Sequence, residues 1–236
     1  MRETVAPDAA GAAAIAAERM AAAIDAARAE RGVAHVALAG GNTPRAAYEA
    51  LAALVEDWGG VHLWFGDERC VDPDDAESNY RMVRESLLAR AAIPGEQVHR
   101  VAGELGAEAA AERYEGELRA VIGPSDPQAG IPALDLALQG LGEDGHTASL
   151  FPGAATLDVR EALCLAVHGS PKPPPDRVTM SLGLLGAARA LVVLASGAGK
   201  AGAGRGIQAG PARAVPASLL PADRTELVVD QAAAGR

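Results

Sequence analysis

The stretch "VAHVALAGGNTP" (residues 33–44) joins an apolar run to a double-glycine turn and then to the start of a helix. The apolar run is typical of a strand that is buried inside a sheet. Thr43 followed by Pro44 predicts a helix beginning at this point, with Thr43 as its N-cap and Pro44 at its first helical position. A strand that leads through a short turn into a helix is the repeating unit of α/β folds.

The same alternation continues along the chain. Helices are predicted around residues 8–30, from Thr43 onward, from Ser78 to about Arg90, and at 106–123. Strands are predicted at 33–40, 61–66, 97–101, 133–140, 162–168, 177–181, 190–196 and 225–230, whereas "DERCVDPDDAE" (67–77) is expected to be a polar loop. The pattern predicts an α/β fold, with a mostly parallel, Rossmann-like sheet flanked by helices on both faces.

The composition favours one folded domain without a nucleic-acid partner. The 236 residues suit a single α/β domain spanning 1–236, and the Pro/Gly-rich segments at 123–132 and 169–176 are too short to separate domains. The net charge of −10 disfavours binding to a phosphate backbone. An anionic small ligand would need a local cluster of Arg and Lys to overcome the same field.

Neither a metal site nor a membrane segment is expected. Cys70 and Cys164 are far apart and have no histidine at a ligand-like spacing, which indicates buried thiols in a reducing compartment. The alanine-rich segment at 11–30 lacks the basic region of a signal peptide, and no run of 18 uncharged apolar residues occurs. We therefore expect a cytoplasmic protein without a metal.

Four polar loops follow predicted strands, at the edge where open α/β sheets bind their ligands. In the first, Gly40 and Gly41 let a ligand approach the backbone, and the following helix offers free N–H groups. Asn42 and Thr43 add side-chain donors. A phosphate cradle and an ordinary strand-to-helix turn fit this loop equally well.

The loop "LGEDGHTASLFPG" (141–153) contains a candidate general base. His146 is expected at the start of a short helix, two residues after Asp144. An aspartate that holds one imidazole nitrogen orients the other as a base, and a helix N-terminus would keep the ring neutral. A surface histidine beside an acid is the alternative. The other four histidines are expected to be structural.

Two further loops supply charged candidates. Asp67, Glu68 and Arg69 come directly after a strand, and Arg177 begins a strand after a proline-rich loop. Either group taken alone could be solvated loop charge.

The segment "SGAGKAGAGRG" (196–206) matches the dinucleotide fingerprint G-x-G-x-x-G at Gly197, Gly199 and Gly202. A P-loop is excluded, because residue 194 is Leu and Ala201 follows Lys200 where Ser or Thr is required. The dinucleotide interpretation is weak, because the next acid at a strand end, Asp230, is 28 residues beyond Gly202.

Taken together, these motifs resemble the 6-phosphogluconolactonase family. The matching pieces are "AGGNTP", "WFGDERCV", "ESNY", "LGEDGHTASLFPG", "RVTMS", "SGAGKA", "VPASLL" and "VVDQAA", in family order across residues 39–233. The family's first loop usually reads S-G-G-S-T-P, and this chain departs from it at Ala39 and Asn42. The resemblance implies a sugar-phosphate-isomerase-like fold and hydrolysis of 6-phosphoglucono-1,5-lactone in the oxidative pentose phosphate pathway, with no cofactor.

The resemblance also implies roles for the candidate residues. His146 would be the general acid/base, oriented by Asp144, and the 6-phosphate would bind the 40–43 turn together with Arg177 and Lys200. Asp67 and Arg69 would contact the substrate, with Arg69 or backbone N–H groups stabilising the oxyanion. The only expected partner is the small sugar-phosphate lactone, bound by a monomer or small homo-oligomer.

Two alternatives belong to other functional classes. A glucosamine-6-phosphate deaminase/isomerase would share the glycine loop and the Asp-Gly-His core, but it typically carries a glutamate shortly after the histidine, where this chain has Leu150 and Phe151. A non-catalytic sugar-phosphate sensor is the second alternative. Such sensors are attached to basic DNA-binding helices, and the sequence contains no such segment.

Overall fold

The computed structural model describes residues 1–123 and 130–236, so most of the predicted loop at 123–132 lies outside the described residues. The α-helices found there are α1 (Ala9–Arg31), α2 (Asn42–Leu54), α3 (Asn79–Val83), α4 (Ala107–Val121), α5 (Leu182–Ala187) and α6 (Ala201–Gln208). The strands are β1 (Arg2–Ala6), β2 (Ala34–Leu38), β3 (Val61–Phe65), β4 (Asp67–Arg69), β5 (Leu136–Gly140), β6 (Cys164–Val167), β7 (Arg177–Met180), β8 (Leu191–Ala195) and β9 (Thr225–Asp230).

Six strands form a wholly parallel sheet in the order β1-β9-β8-β5-β2-β3. All residues of β2 and β8 are buried, which requires that both faces of the sheet are covered. The long helix α1 packs against α2 and against β2, β8 and β9. Its buried face is mostly alanine, with Met20 and Ile24, so that the helix approaches the sheet closely. The predicted parallel α/β fold is confirmed.

A second, antiparallel sheet of three strands has the order β4-β7-β6. The predicted polar loop at 67–77 is therefore wrong in its first three residues, because Asp67, Glu68 and Arg69 pair with Thr179, Val178 and Arg177. The charged sequence gave no strand signal. The strand forms because β7 offers a free edge and because buried partners satisfy the carboxylates of Asp67 and Glu68.

Two other expectations about individual elements need correction, and one strand was missed. The predicted strand at 97–101 is absent: after a 3₁₀ turn at Gly95–Gln97, only Val98 bridges to Leu63, and pairing stops. Strand β1 was not predicted, since its outer residues are exposed and polar. The helix predicted to begin with Thr43 as its N-cap has Gly41 at that position instead.

The segment after Ser78 agrees closely with its prediction. The Ser78 hydroxyl accepts a hydrogen bond from the Arg81 N–H and so caps α3, which continues as one π-helical turn over Arg84–Leu88. Within residues 1–123 and 130–236, no helix is both long and apolar enough to cross a membrane.

Candidate functional site

The candidate site lies where the strand order of the parallel sheet reverses, between β2 and β5. Along the chain, β2 leads to β3 on one side, while β5, β8 and β9 continue on the other. Loops at the carboxyl ends of such strands diverge and leave a crevice. Here the crevice is a cavity of about 220 Å³. It is lined by Ala39, Gly40, Gly41, Gly66, Asp67, Arg69, Gln139, Gly140, Leu141, Gly142, His146, Ala148, Lys172, Arg177 and Lys200.

His146 and Asp144 form a hydrogen-bonded pair in the turn after β5. The Nδ1 atom of His146 lies 2.5 Å from Oδ1 of Asp144. Because an ionised carboxylate only accepts hydrogen bonds, the neutral ring carries its proton on Nδ1 and leaves Nε2 with a lone pair. The His146 side chain is 17% exposed, so Nε2 belongs to a ring that is mostly enclosed but still lines the cavity.

The pKa of His146 is lowered from its ordinary value. Burial is the largest cause, and the positive charge of Lys172 acts in the same direction, whereas the hydrogen bond and charge of Asp144 oppose them. For Asp144, burial would raise the pKa, but the hydrogen bond from His146 and the charges of His146 and Lys172 outweigh it, so the net pKa is lowered. A neutral imidazole beside an ionised carboxylate is the state that a general base requires at neutral pH.

The helix predicted to begin at His146 does not form. Gly145 and Ala148 have φ angles of +84° and +47°, which an α-helix does not allow, and Thr147 instead bridges to Leu150. The pKa of His146 is therefore lowered by burial, not by a helix N-terminus. Gly142 permits the arrangement, since a Cβ at this position would lie 2.0 Å from the His146 Nδ1 atom.

A recess of about 140 Å³ adjoins the cavity at the start of α2 and includes Gly40, Gly41, Asn42, Thr43 and Lys200. No side chain caps the first turn of α2, so its N–H groups remain available to an anion. The Thr43 hydroxyl lies 3.0 Å from the Ser196 hydroxyl, which connects this turn to the one carrying Lys200. The free N–H groups are a feature that a phosphate cradle would need, and the cradle itself stays a prediction.

The glycine turn after β8 is held by Asp230. A dinucleotide site would need this acid to bind its ligand. Both carboxylate oxygens of Asp230 accept the Gly197 N–H, at 3.1 and 3.0 Å, and the Ala233 N–H donates to the same side chain. Asp230 is buried. These contacts occupy Asp230 as a local cap for the turn, and they leave the role of Lys200 a prediction.

Arg177 lines the cavity, but its donors are largely used by the protein. Its Nε donates to the Pro174 carbonyl at 3.0 Å, and its Nη2 donates to the carbonyls of Lys172 and Pro173 at 2.9 and 3.0 Å. Its Nη1 lies 3.5 Å from the Ser149 hydroxyl and 4.0 Å from the Asp67 carboxylate. Arg177 therefore holds the proline-rich loop, and binding of the phosphate by Arg177 stays a prediction.

The three residues of β4 have different environments. Asp67 accepts a hydrogen bond from the Ser149 hydroxyl at 2.6 Å and lines the cavity. Glu68 is buried and accepts the N–H groups of Arg69, Asn79 and Tyr80. Burial raises the pKa of Glu68 to about 7 despite these bonds. Glu68 fixes the start of α3, whereas Arg69 faces the cavity.

Lys172 and Gln139 line the cavity and were not predicted as site residues. Gln139 is a buried amide within an otherwise apolar strand, and it accepts a hydrogen bond from the Thr147 hydroxyl at 3.1 Å. A glutamine in an otherwise apolar strand is a sequence signal by which this site residue could have been found. Lys172 lies in the proline-rich loop, whose path back to the site depends on β7 and is not visible in the sequence.

The other four histidines lie outside the cavity. His62 and His99 share a hydrogen bond of 2.8 Å near His35 at the β2–β3 edge, and His168 bonds to Asp176. Among residues 1–123 and 130–236, no group of three or more His, Cys, Asp or Glu side chains is arranged to hold a metal ion.

Comparison with known proteins gives consistent matches. A 6-phosphogluconolactonase from Mycobacterium tuberculosis is 41% identical over 197 residues, covering 80% of this chain and 78% of its own. A probable chloroplastic 6-phosphogluconolactonase 3 from rice (Oryza sativa subsp. japonica) is 38% identical over 186 residues, which are 74% of this chain. The matched part spans only 56% of the length of the rice protein.

Solved structures agree with these relatives. The 6-phosphogluconolactonase from Trypanosoma cruzi superposes with a TM-score of 0.88 at 28% identity, covering 100% of this chain and 96% of the other. A sequence model of the family described as glucosamine-6-phosphate isomerases/6-phosphogluconolactonase matches residues 7–229. The chain therefore belongs to the glucosamine-6-phosphate isomerase/6-phosphogluconolactonase family.

Proposed function

We propose that this chain is a 6-phosphogluconolactonase, which hydrolyses 6-phospho-D-glucono-1,5-lactone to 6-phospho-D-gluconate in the oxidative pentose phosphate pathway. The observation that carries the proposal is the position of His146: it lines a cavity that also contains Lys200, and Lys200 also lines the adjoining recess at the start of α2. A base and a phosphate site in adjoining cavities suit a phosphorylated lactone. The names of the relatives support the same substrate.

In this mechanism Nε2 of His146 takes a proton from a water molecule, and the resulting hydroxide forms a bond to C1 of the lactone. The tetrahedral intermediate then breaks its bond between C1 and the ring oxygen. The imidazolium returns the proton to that oxygen, which becomes a hydroxyl group. The carboxylic acid formed at C1 ionises and releases a proton to the solvent.

Asp144 keeps the proton of the neutral ring on Nδ1 and stabilises the imidazolium during the reaction. Negative charge accumulates on the C1 oxygen in the intermediate. Arg69 and backbone N–H groups of the glycine-rich turns are suitable donors to it. Arg69 lines the cavity, and its Nη1 also donates to the Glu77 carbonyl.

The phosphate binds the turn formed by Gly40, Gly41, Asn42 and Thr43, and Lys200 neutralises part of its charge. This local cation offsets the repulsion expected from a net charge of −10. We assign Arg177 mainly to the proline-rich loop, since that loop takes up most of its donors.

The experiment replaces the base while keeping the shape of the site. His146→Gln should lower the catalysed rate by about 10²–10⁴-fold, because no group remains to take the proton from water. It should still bind 6-phosphogluconate. The lactone is generated in situ, and its hydrolysis is measured against the spontaneous rate.

His62→Gln is the matched control, because His62 lies on β3 outside the cavity, and it should keep wild-type turnover. Near-normal turnover in His146→Gln would overturn the base assignment. Release of ammonia from glucosamine 6-phosphate would favour the deaminase alternative. Ligand binding by the wild-type protein without turnover of either substrate would favour a sensor.

We further propose that residues 1–236 form one domain, working in the cytoplasm as a monomer or small homo-oligomer. The pairing of the first strand, β1, with the last, β9, supports a single domain. Cys70 and Cys164 are both free thiols, Cys164 buried and Cys70 half-buried, which fits a reducing compartment. Size-exclusion chromatography with light scattering would determine the oligomeric state.

A further inference from the structure

The loop between β6 and β7 brings an unpredicted cation to the base. Lys172 lines the cavity, and its ammonium lies 3.9 Å from Oδ1 of Asp144, the carboxylate that holds His146. This separation is too long for a hydrogen bond. Within residues 1–123 and 130–236, the structure gives the ammonium no hydrogen-bond acceptor. Its three N–H donors are therefore available to a ligand.

Lys172 lines the main cavity and not the phosphate recess. That recess contains Lys200 and the start of α2 but neither His146 nor Lys172, whereas the main cavity contains all three of His146, Lys172 and Lys200. Lys200 thus lies at the phosphate recess, whereas Lys172 lies in the main cavity with the base His146. The acid product carries negative charge at both of its ends, on the phosphate and on the carboxylate.

The position of Lys172 is fixed by buried contacts. Arg177 is only 4% exposed and binds the carbonyls of three consecutive loop residues, of which Lys172 is the first. The Ser170 N–H also donates to the Pro175 carbonyl at 2.9 Å across the loop. These bonds hold the backbone of Lys172 in place while its side chain remains half exposed.

The strand pairing behind this loop is unusual for a purely structural element. Arg69 and Arg177 stand directly opposite each other in the β4–β7 pair. Like charges at such positions repel and destabilise a sheet. Together with Lys172 they line the cavity. Each of the three cations has a carboxylate no closer than 3.7 Å, so an anionic group of a ligand would be an additional partner for them.

We propose that Lys172 binds the C1 end of the ligand: the lactone carbonyl oxygen as negative charge develops on it, and the carboxylate of the product. Arg177 is the positioning residue that holds Lys172 there through the loop carbonyls. The inference rests on the proposed lactonase function and adds a residue to it.

The test compares two ligands that differ at C1. Dissociation constants are measured by calorimetry for 6-phosphogluconate and for glucitol 6-phosphate, which has the phosphate but no carboxylate. Lys172→Met should weaken 6-phosphogluconate about tenfold, the loss of one charge-assisted contact, and change glucitol 6-phosphate less than twofold. Lys172→Arg should keep most of the preference for the carboxylate.

Lys200→Met is the matched control, and it should weaken both ligands to a similar degree. Arg177→Lys should reduce the preference for the carboxylate as Lys172→Met does, and the double variant should reduce it no further. A purely structural role of Arg177 would instead weaken both ligands together.

Equal effects of Lys172→Met on both ligands, or no effect on either, would overturn this inference while leaving the lactonase proposal intact. A wild-type protein that binds neither ligand and hydrolyses no lactone would overturn the proposed function and this inference together.

Discussion

The imidazole of His146 experiences two opposing influences, and their balance sets the pH range in which it can act. Burial and the charge of Lys172 lower its pKa, while Asp144 and, more weakly, Asp67 raise it. Because the net pKa is below the ordinary value of 6.5, the ring is neutral at pH 7. A base is active only in this neutral form, so activity is lost as the pH falls through the pKa.

We predict that kcat/KM falls as the solution is made more acidic, and that the midpoint of this acid limb lies below about pH 6.5. Lys172→Met should move the midpoint to higher pH, because it removes a positive charge that disfavours the imidazolium. Asp144→Asn should move it to lower pH, because it removes the negative partner. Rates corrected for spontaneous hydrolysis at each pH provide the measurement. If neither variant moved the limb, the limb would not report on His146.

At the scale of single residues, the spacing of two side chains along the sequence could be used to predict their contact, whereas the burial of a side chain could not be predicted. The interval between Asp144 and His146 predicted their pairing, because two residues across a tight turn bring the side chains together. The predicted cause of the neutral ring was wrong, since the fold buries the ring where a helix end was expected. Lys172 could not be found, because its proximity to Asp144 depends on a loop held by Arg177.

Among the secondary-structure elements, α6 is notable for its glycines. Gly202, Gly204 and Gly206 lie within its eight residues, directly after Lys200. Glycine weakens a helix interior by up to about 1 kcal/mol relative to alanine, so at least some of these residues need another explanation. A Cβ at Gly206 would lie 2.8 Å from Cγ2 of Val215, whereas a Cβ at Gly202 would meet nothing within 4 Å.

The two positions should therefore respond oppositely to alanine. Gly202→Ala should raise the free energy of unfolding by about 0.5–1 kcal/mol through helix propensity alone. Gly206→Ala should lower it by about 1–3 kcal/mol, because the added methyl group overpacks against Val215. Urea denaturation of both variants gives the comparison. Stabilisation by both substitutions would show that α6 is not packed in this way.

Elements with a strong internal pattern were predictable from the sequence. The buried strands β2, β5 and β8 and helices α1 and α4 carry long apolar or periodic runs, and they lie where expected. Strand β4 carries three charged residues, and β1 is a polar edge strand. Their pairing depends on neighbours that are distant in sequence, which local propensity does not encode.

For the whole molecule, a buried histidine cluster should limit stability in acid. Burial, followed by the charges of His62, His99 and Arg31, lowers the pKa of His35 to about 4. In the unfolded chain the ordinary value of 6.5 applies, so between pH 6.5 and 4 the unfolded state binds more protons. Stability is then lost as the pH falls through this window, by at most about 3 kcal/mol from His35.

His35→Gln should flatten that pH dependence, since an amide does not titrate and its oxygen can still accept the Trp64 indole N–H. The free energy of unfolding in urea is measured between pH 4.5 and 7.5. His168→Gln is the control: its carboxylate partners raise the pKa of His168, so its removal should not flatten the acid decline. Parallel curves for wild type and His35→Gln would contradict the prediction.

The strand order was only partly predictable. Alternating strands and helices indicated a parallel sheet, but the pairing of β1 with β9 joins the two ends of the sequence, and no local signal marks it. The separation of β4, β6 and β7 into their own sheet could not be predicted either. It depends on which strand edges the packed helices leave free, and no local sequence signal marks those edges.

This division into two sheets separates the two parts of the proposed site. The loops to which we assign the phosphate follow β2 and β8 of the parallel sheet, whereas Arg69, Lys172 and Arg177 belong to the antiparallel sheet and its hairpin. On these assignments, exchange of the β6–β7 hairpin alone should leave the phosphate loops unchanged while altering the side chains that face His146.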